Sequence, residues 1–449
     1  MSWKDLSLTE RANISQRWRE EGSRFAQDVN AFMDRCNRLG PEQAGEEPYD
    51  TRTDLAETVL QAVREANEAG RSADIRKDFP SAYFPFIEFV KANGQVPAPL
   101  SWLAGGQILV RAGSTTYLID DLHIETLPGI LSFGRSPDQK YFAVARQSGI
   151  TIYDGWDGPE VTRLNWPTIG TRKGDHTLER WSHAGAKGDQ LVPFPDGKRV
   201  LLATREAIMV VEPHRSTMLF PEESEESENT WLNNPHGAVS PDGSLIAVGD
   251  RLTGAHLIFN DRYEKVGQIA GLVDLAPWHA SFSDDGTCLA LSSFMLYQGA
   301  TVLVPTCRFP GLVVGEKELK IHWFSKATWD GMQRGLQEFD KDLLVLNCRS
   351  SVYASAWRPG EFILGDAQGF LQAFDRAGAT RWQHFIGSSI GALDISPDGR
   401  RLLASSAAGF VVILDLDTGE TDPDAIGTSM HRERRRWVFW KNEKRPLAW

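Results

Sequence analysis

Apolar and polar residues alternate in short runs along most of the chain, and the clearest case is residues 390–415. There Ala392-Leu393-Asp394-Ile395 alternates as a half-buried strand does, and Ser396-Pro397-Asp398-Gly399 follows it. Proline presets the backbone angle φ, aspartate bonds to nearby backbone and glycine adopts conformations that other residues resist, so this tetrapeptide predicts a tight turn. Two more apolar runs, 401–405 and 410–414, complete a predicted set of three short strands.

The same order of turn and strands recurs upstream. Five related turns begin at Ser136, Phe194, Ser240, Ser283 and Arg358, and each precedes two apolar runs of strand length. The turn aspartate and the acid that closes the third strand are 16 residues apart in two copies (138 to 154 and 196 to 212) and 17 in the last (398 to 415). A repeat of about 40 residues is typical of propeller arrays. With a first blade predicted over residues 100–120, the copies give seven blades.

These repeats resemble the WD40-like β-propellers over about residues 97–420. The resemblance rests on the Ser-Pro-Asp-Gly turn and on Tyr153-Asp154, Phe374-Asp375 and Leu414-Asp415, which lie where that family ends its third strand with Trp-Asp. It implies a seven-bladed β-propeller, so the expected fold class is mainly β with an α-helical region in front. Such a fold is a rigid disc with loops on its faces, and it does not by itself give a function.

Residues 1–96 follow a helical pattern instead. Ser7-Leu8-Thr9-Glu10 is a candidate capping box, and after it apolar side chains recur at spacings of three, four or seven residues as far as Leu39. A second helix is predicted to begin at a cap on Asp54 and to end by Gly70. We therefore predict a helical hairpin in residues 1–96, docked on the propeller by the aromatic stretch 81–90.

The Gly and Pro residues of 93–99 mark the boundary between this helical region and a propeller predicted over 97–430. Residues 431–449 combine aromatic side chains with two acidic and seven basic ones, namely Arg432, Arg434, Arg435, Arg436, Lys441, Lys444 and Arg445. Because residues 390–415 supply only three strands, we predict that this segment forms the closing strand of the last blade, with its basic ends solvated. The alternative is a patch that binds nucleic acid or another anionic surface.

Composition narrows the classes of partner and compartment. The net charge of −12 disfavours general attraction to nucleic acid. The acidic run 221–228 is predicted to be solvated, the alternative being contact with a basic partner. The four cysteines form no Cys-x-x-Cys pair, which fits a reducing compartment. With neither a signal peptide nor a membrane span expected, we predict a cytoplasmic protein without a membrane partner.

No motif predicts a catalytic, cofactor-binding or metal-binding residue. Residues 387–391 match Gly-x-Ser-x-Gly, but a strand rather than a helix is predicted after them, so we expect a tight turn. His236 and His279 each precede a blade turn by four residues, which would bring them near the central channel. We predict structural roles for both, the alternative being a metal site. His176 and His183 lie seven residues apart in a predicted loop and indicate less.

These observations favour a non-catalytic module for protein–protein interaction, with another protein as its partner. The charge of −12 suggests one variant, an immunity protein that neutralises a basic partner enzyme. The alternative class is a propeller enzyme, such as a lactonase or another hydrolase, with its site in the central channel and with His236 and His279 as the first candidate residues.

Overall fold

The computed structural model describes residues 3–171, 174–177, 190–221, 232–270, 276–295, 298–314, 342–346 and 350–449. Over these residues, helices are followed by seven sheets of four or five strands, in which consecutive strands pair antiparallel. Each sheet is one blade, so the predicted seven-bladed β-propeller with an N-terminal helical region is confirmed. A separate two-stranded sheet follows blade two and pairs β9 (Thr168–Thr171) with β10 (Gly174–Thr177).

The first three blades have four strands each. Blade one contains β1 (Pro97–Trp102), β2 (Ile108–Ala112), β3 (Thr115–Asp120) and β4 (His123–Leu127). Blade two contains β5 (Ser132–Arg135), β6 (Tyr141–Arg146), β7 (Gly149–Asp154) and β8 (Glu160–Leu164). Blade three contains β11 (Gln190–Pro193), β12 (Val200–Ala203), β13 (Ile208–Val211) and β14 (Ser216–Phe220).

Two of the remaining blades carry a fifth strand. Blade four contains β15 (His236–Val239), β16 (Leu245–Gly249), β17 (Ala255–Asn260), β18 (Lys265–Ala270) and the parallel strand β22 (Val313–Val314). Blade five contains β19 (Ala276–Phe282), β20 (Cys288–Met295), β21 (Gln298–Pro305) and β23 (Leu344–Leu346). Blade six contains β24 (Val352–Arg358), β25 (Glu361–Asp366), β26 (Phe370–Asp375) and β27 (Thr380–Phe385). Blade seven contains β28 (Ile390–Ile395), β29 (Arg401–Ser406), β30 (Phe410–Asp415), β31 (Arg432–Val438) and β32 (Leu447–Ala448).

The repeated turns join the first two strands of a blade through side-chain hydrogen bonds. In blade four, the Ser240 hydroxyl donates to Asp242 Oδ1 (2.6 Å) and accepts from Leu245 N (2.9 Å). Asp242 Oδ1 also accepts from Ser244 N (3.0 Å), and Gly243 has a φ of 72°. Serine, aspartate and glycine therefore each have a separate task in this turn, which explains why the tetrapeptide predicts a turn so well.

The helical region contains more elements than the predicted hairpin. Its helices are α1 (Leu8–Leu39), α2 (Ala56–Glu68), α3 (Ser72–Asp78) and α4 (Ile87–Asn93). The capping box of Ser7 and Glu10 is present at the start of α1, as predicted. The predicted cap on Asp54 is wrong, because Asp50 caps the 3₁₀ turn Thr51–Leu55 that leads into α2. Asp54 instead forms an ion pair with Arg17 (2.7 Å).

The aromatic stretch 81–90 connects the helices to the propeller, as predicted. Phe86 is fully buried, and its ring lies 5.9 Å from that of Trp18 in α1. On the propeller side, the same ring lies 5.8 Å from Trp440 and 5.3 Å from Trp449. The rings of Phe84 and Phe385 stack at 5.3 Å. Because aromatic pairs add to the free energy of burial, this stretch anchors the helical region on blades six and seven.

The C-terminal segment adds two strands to blade seven: β31 pairs with β30, and β32 pairs with β31. Trp437 and Phe439 pack towards blade one, whereas Val438 and Trp440 pack with the helical region. The expectation of solvated basic ends is wrong for Arg435 and Arg436, whose side chains are 16% and 5% exposed. Four arginines of the segment pair with carboxylates, in the pairs Arg432–Glu420, Arg434–Asp415, Arg435–Asp121 and Arg436–Glu433.

Candidate binding site

The first strand of every blade faces a central channel that contains a cavity of about 460 Å³. Residues from all seven first strands line this cavity, from Leu100 in blade one to Ile395 in blade seven. Its volume falls within the range of about 300–1,000 Å³ that ligand sites occupy. We call the end at which these strands begin the loop end, and the end at which they finish, at the Ser-Pro-Asp-Gly turns, the turn end.

The turn end contains an ion pair between two blades that are not neighbours. Arg135 of blade two and Asp394 of blade seven are 2.7 Å apart, and their side chains are only 12% and 16% exposed. Asp394 also accepts a hydrogen bond from Trp102 N of blade one (2.7 Å), and Arg135 donates to Trp102 O (3.1 Å). Burial raises the pKa of Asp394, and the Arg135 charge opposes that rise. This pair therefore links the first two blades to the last one.

The variant Asp394→Ala is expected to destabilise the protein by about 3–5 kcal/mol, because it leaves the Arg135 charge buried without its carboxylate. Chemical unfolding at pH 7 measures the loss. The double variant Arg135→Met, Asp394→Leu removes both charges and is expected to regain most of it. An Asp394→Ala protein that unfolds at the wild-type denaturant concentration would show that the pair does not hold the ring closed.

The loop end carries an aromatic cluster, which we define as Trp278, Phe294 and Tyr353. The rings of Trp278 and Phe294 stack with their centroids 4.2 Å apart, and the Tyr353 ring lies 5.7 Å from Trp278. All three side chains are half-buried, unlike the fully buried aromatic residues of the core. Trp278 and Tyr353 come from the first strands of adjacent blades and line the cavity. The cluster therefore offers apolar surface at the rim of the channel.

Both histidines that the sequence places near the channel line it. The His236 ring is 3% exposed, its Nδ1 lies 2.9 Å from Asn234 O, and burial lowers its pKa to about 4. His279 Nε2 lies 2.8 Å from Ser355 Oγ of the next blade. A third imidazole, that of His256, lies 5.3 Å from the His236 ring, and burial lowers its pKa as well. Nowhere in the described parts of the chain do three His, Cys, Asp or Glu residues form a group that could hold a metal ion.

The other sequence motifs are placed as follows. Ser389, the central serine of residues 387–391, donates to Ala367 O (2.8 Å), and Ile390 directly after it begins strand β28. His176 lies in strand β10 rather than in the predicted loop. His183 and the acidic residues 222–228 lie outside the described residues. Cys36, Cys288 and Cys307 are free thiols. None of the helices that the structure describes has an apolar stretch long enough to cross a bilayer.

Comparison of the seven copies could have found the channel residues that our sequence interpretation missed. Two residues before the turn, other copies have Gly134, Val192, Ala238, Ser281 and Ala356 where the last has Asp394. One residue before the turn, Arg135 stands where the others have Pro193, Val239, Phe282, Trp357 and Ile395. Trp278 and Tyr353 occupy the same place, five residues before their turns. Single charged residues at otherwise uncharged repeat positions were thus the available signal.

No protein-family model matches the sequence, and no curated protein is similar enough to be matched. Among solved structures, a chain of the mitotic checkpoint complex is 11% identical, with a TM-score of 0.44 over 70% of this chain and 86% of that one. A chain of Kuenenia stuttgartiensis hydrazine synthase is 16% identical, with a TM-score of 0.41 over 67% of this chain and 80% of that one. Likeness at this level carries no argument about function. The propeller itself follows from the strand pairing described above.

Proposed function

We propose that this protein is a non-catalytic β-propeller module that binds another protein at the loop end of its channel. The observation that carries the proposal is the half-buried aromatic cluster of Trp278, Phe294 and Tyr353 at the channel rim. Trp and Tyr are enriched among the residues that contribute most to protein–protein affinity, because they bury a large area at a small cost in side-chain entropy. Trp278 and Tyr353 lie on the first strands of two packed blades and Phe294 lies on the second strand of blade five, so the cluster is held rigidly before a partner arrives.

The state of the channel's polar groups supports binding over hydrolysis. His279 is hydrogen-bonded to Ser355, Trp357 Nε1 donates to Ser281 Oγ (3.0 Å), and Arg135 is paired with Asp394. A general base must reach the proton that it removes, and His236 is almost completely buried against its own blade. These side chains fix the channel wall. Catalysis by a lactonase or another hydrolase would need a reactive polar group directed into the cavity, and the channel residues named here are instead bonded within the wall.

The chemistry of the partner follows from the overall charge. A net charge of −12 attracts basic proteins and accelerates their association at low salt. Neutralisation of a basic enzyme, as immunity proteins do, is one form that such binding takes. We also place the protein in the cytoplasm, on the ground that Cys36, Cys288 and Cys307 are free thiols.

A photo-crosslinking residue in place of Tyr353 is expected to capture the partner in cells of the native host. The same residue in place of Val161, which is 44% exposed on the outer strand of blade two, is the matched control. It is expected to capture none of the proteins that are captured from position 353. The variant Trp278→Ala is expected to reduce capture at position 353 at least tenfold, because it removes the centre of the cluster. Mass spectrometry of the adducts measures both.

A melting curve shows whether Trp278→Ala is still folded, which is expected because the side chain is only half-buried. Equal capture from positions 353 and 161, or undiminished capture by a folded Trp278→Ala protein, would contradict the loop end as the contact surface. Hydrolysis of lactone or ester substrates by the purified protein would contradict the non-catalytic function.

A further inference from the structure

The turn end of the channel differs from the loop end in carrying a carboxylate at an unusual position. Asp284 is the second residue of the blade-five turn, and it is exposed where the cavity opens. The corresponding residue is proline in five other copies of the turn: Pro137, Pro195, Pro241, Pro359 and Pro397. Proline suits this position of a turn because it presets φ. Aspartate has no such advantage, so the geometry of the turn does not account for it.

The neighbouring charges at this end are already paired, whereas that of Asp284 is not. Asp394 pairs with Arg135, and Asp285, the next residue along, pairs with Arg376. Among the residues that the structure describes, no basic side chain lies within ion-pair distance of Asp284. Desolvation beside the channel wall raises the pKa of Asp284, the charges of Asp285 and Asp394 raise it further, and the Arg135 charge opposes the rise without cancelling it. A bound cation would relieve the repulsion from the two carboxylates, because it would place an opposite charge in direct contact with Asp284, whereas Arg135 is paired with Asp394.

An aromatic ring lies on the same side of the cavity. Trp357 of blade six lines it, and its Nε1 donates to Ser281 Oγ, on the strand that leads to Asp284. The hydrogen bond and the contact with the Phe362 ring (centroids 4.3 Å apart) fix the orientation of the indole. A carboxylate together with a fixed tryptophan is a combination suited to organic cations, since the ring quadrupole attracts positive charge.

We propose that the turn end of the channel is a binding site for an organic cation, a guanidinium or ammonium group held by Asp284 beside Trp357. This site is separate from the loop end and goes beyond the protein-binding function proposed above. The cation is either the side chain of an arginine or lysine in a peptide or a free polyamine, and both present the same chemistry to the carboxylate. The cavity volume of about 460 Å³ leaves room for the chain that bears the cation.

Four probes test the proposal by calorimetry and by saturation-transfer NMR with the full-length protein. Acetyl-arginine amide and acetyl-lysine amide represent a peptide side chain, spermidine represents a free polyamine, and acetyl-citrulline amide is the neutral match for arginine. At least one cation is expected to bind with a dissociation constant of about 1 mM, the range open to a ligand of so few atoms. The citrulline probe is expected to bind at least tenfold more weakly. Tighter binding of the amino-acid amides than of spermidine assigns a peptide ligand, and the reverse assigns a polyamine.

Two variants remove the carboxylate without disturbing the turn. Asp284→Asn keeps its size, and Asp284→Pro introduces the residue of the five other copies; both are expected to melt as the wild type does and to weaken cation binding at least tenfold. Asp261→Asn removes an exposed charge in blade four and is the matched control, with unchanged binding expected. Failure of all three cations to bind, or equal binding by a folded Asp284→Asn protein, overturns the proposal. Neither result depends on capture at position 353, so this site and the proposed function fail separately.

Discussion

Removal of residues 431–449 is expected to yield a protein that does not fold into a soluble form. The deletion takes away β31 and β32, and with them the side chains of Trp437, Trp440 and Trp449, each at most 2% exposed. Replacing one buried tryptophan by alanine costs about 3–5 kcal/mol, so losing three costs about 9–15 kcal/mol, which is comparable to the whole of the roughly 5–15 kcal/mol that stabilises a typical domain. It also exposes the edge of β30 and the apolar face of the helices, which favours aggregation. Solubility after expression and circular dichroism measure the effect.

The control for this deletion is a variant that loses exposed positive charges of the segment but keeps both strands. Arg434 and Lys444 are exposed, and replacing both by glutamine is expected to change stability by less than about 1 kcal/mol. Arg435 and Arg436 are unsuitable for this control, because their side chains are largely buried and paired. A truncated protein that melts normally but no longer binds nucleic acid or an acidic partner would instead support the alternative interpretation, in which residues 431–449 are a basic binding patch.

Acidification from pH 6.5 to pH 4 is expected to destabilise the fold by several kcal/mol. Burial lowers the pKa of both His236 and His384 from 6.5 to about 4. Over that interval the unfolded chain binds protons at these histidines and the folded protein does not, so their contribution to stability is lost as the pH falls. Above pH 6.5 this contribution is fully present. A shift of this size corresponds to about 3 kcal/mol per histidine. Asp366 opposes the loss between pH 6 and 3.8, because burial raises its pKa to about 6.

A single substitution isolates the contribution of one histidine from the opposing groups. His384→Asn keeps a donor near Ser429 Oγ, which lies 2.8 Å from His384 Nδ1 in the wild type, and removes the titrating ring. Its loss of stability between pH 6.5 and pH 4, measured by denaturant titration, is expected to be about 3 kcal/mol smaller than that of the wild type. His123→Asn replaces an exposed histidine and is expected to follow the wild-type profile. Identical profiles for all three proteins would refute the role of buried neutral histidines.

The blades were predictable because each is specified by local sequence. A turn such as residues 396–399 is held by bonds within six residues, as the contacts of Ser396 with Asp398 and Arg401 show. The alternation of 437–440 likewise gave the two faces of the closing segment, because side chains of a strand point alternately to its two sides. Both features depend only on neighbours along the chain.

The features that were missed depend on partners far away in sequence. Asp54 has the residue type of a helix cap, but its carboxylate pairs with Arg17 of α1. The capping hydrogen bond of the 3₁₀ turn is accepted by Asp50 instead. The run Leu447–Ala448 is too short to predict a strand. It becomes one because it pairs with β31. The charges of 432–436 suggested solvated ends, yet their carboxylate partners reach back as far as Asp121.

The candidate site could be predicted only in outline. The sequence placed His236 and His279 at the channel, since position within a repeat fixes position on the ring. It did not indicate that the His256 ring, from another strand, would pack edge-on against that of His236, or that Arg135 and Asp394 would meet across blade one. Distances between residues of different blades depend on how the ring of blades closes, and a pattern within the local sequence does not predict that closure.

The contact of Trp449 with the helical region has a consequence for how the protein is made. Trp449 donates from Nε1 to Phe79 O (2.8 Å), and Ala448 N donates to Asn67 Oδ1 (2.9 Å). On a ribosome that adds about 5–20 residues per second, the helices would emerge roughly 20–70 s before the residues that cover them. For that interval Phe86 and its neighbours have no partner from blade seven. The newly made chain is therefore expected to need a chaperone until residues 432–449 have left the ribosome, and a ribosome stalled within blade seven would hold an aggregation-prone protein.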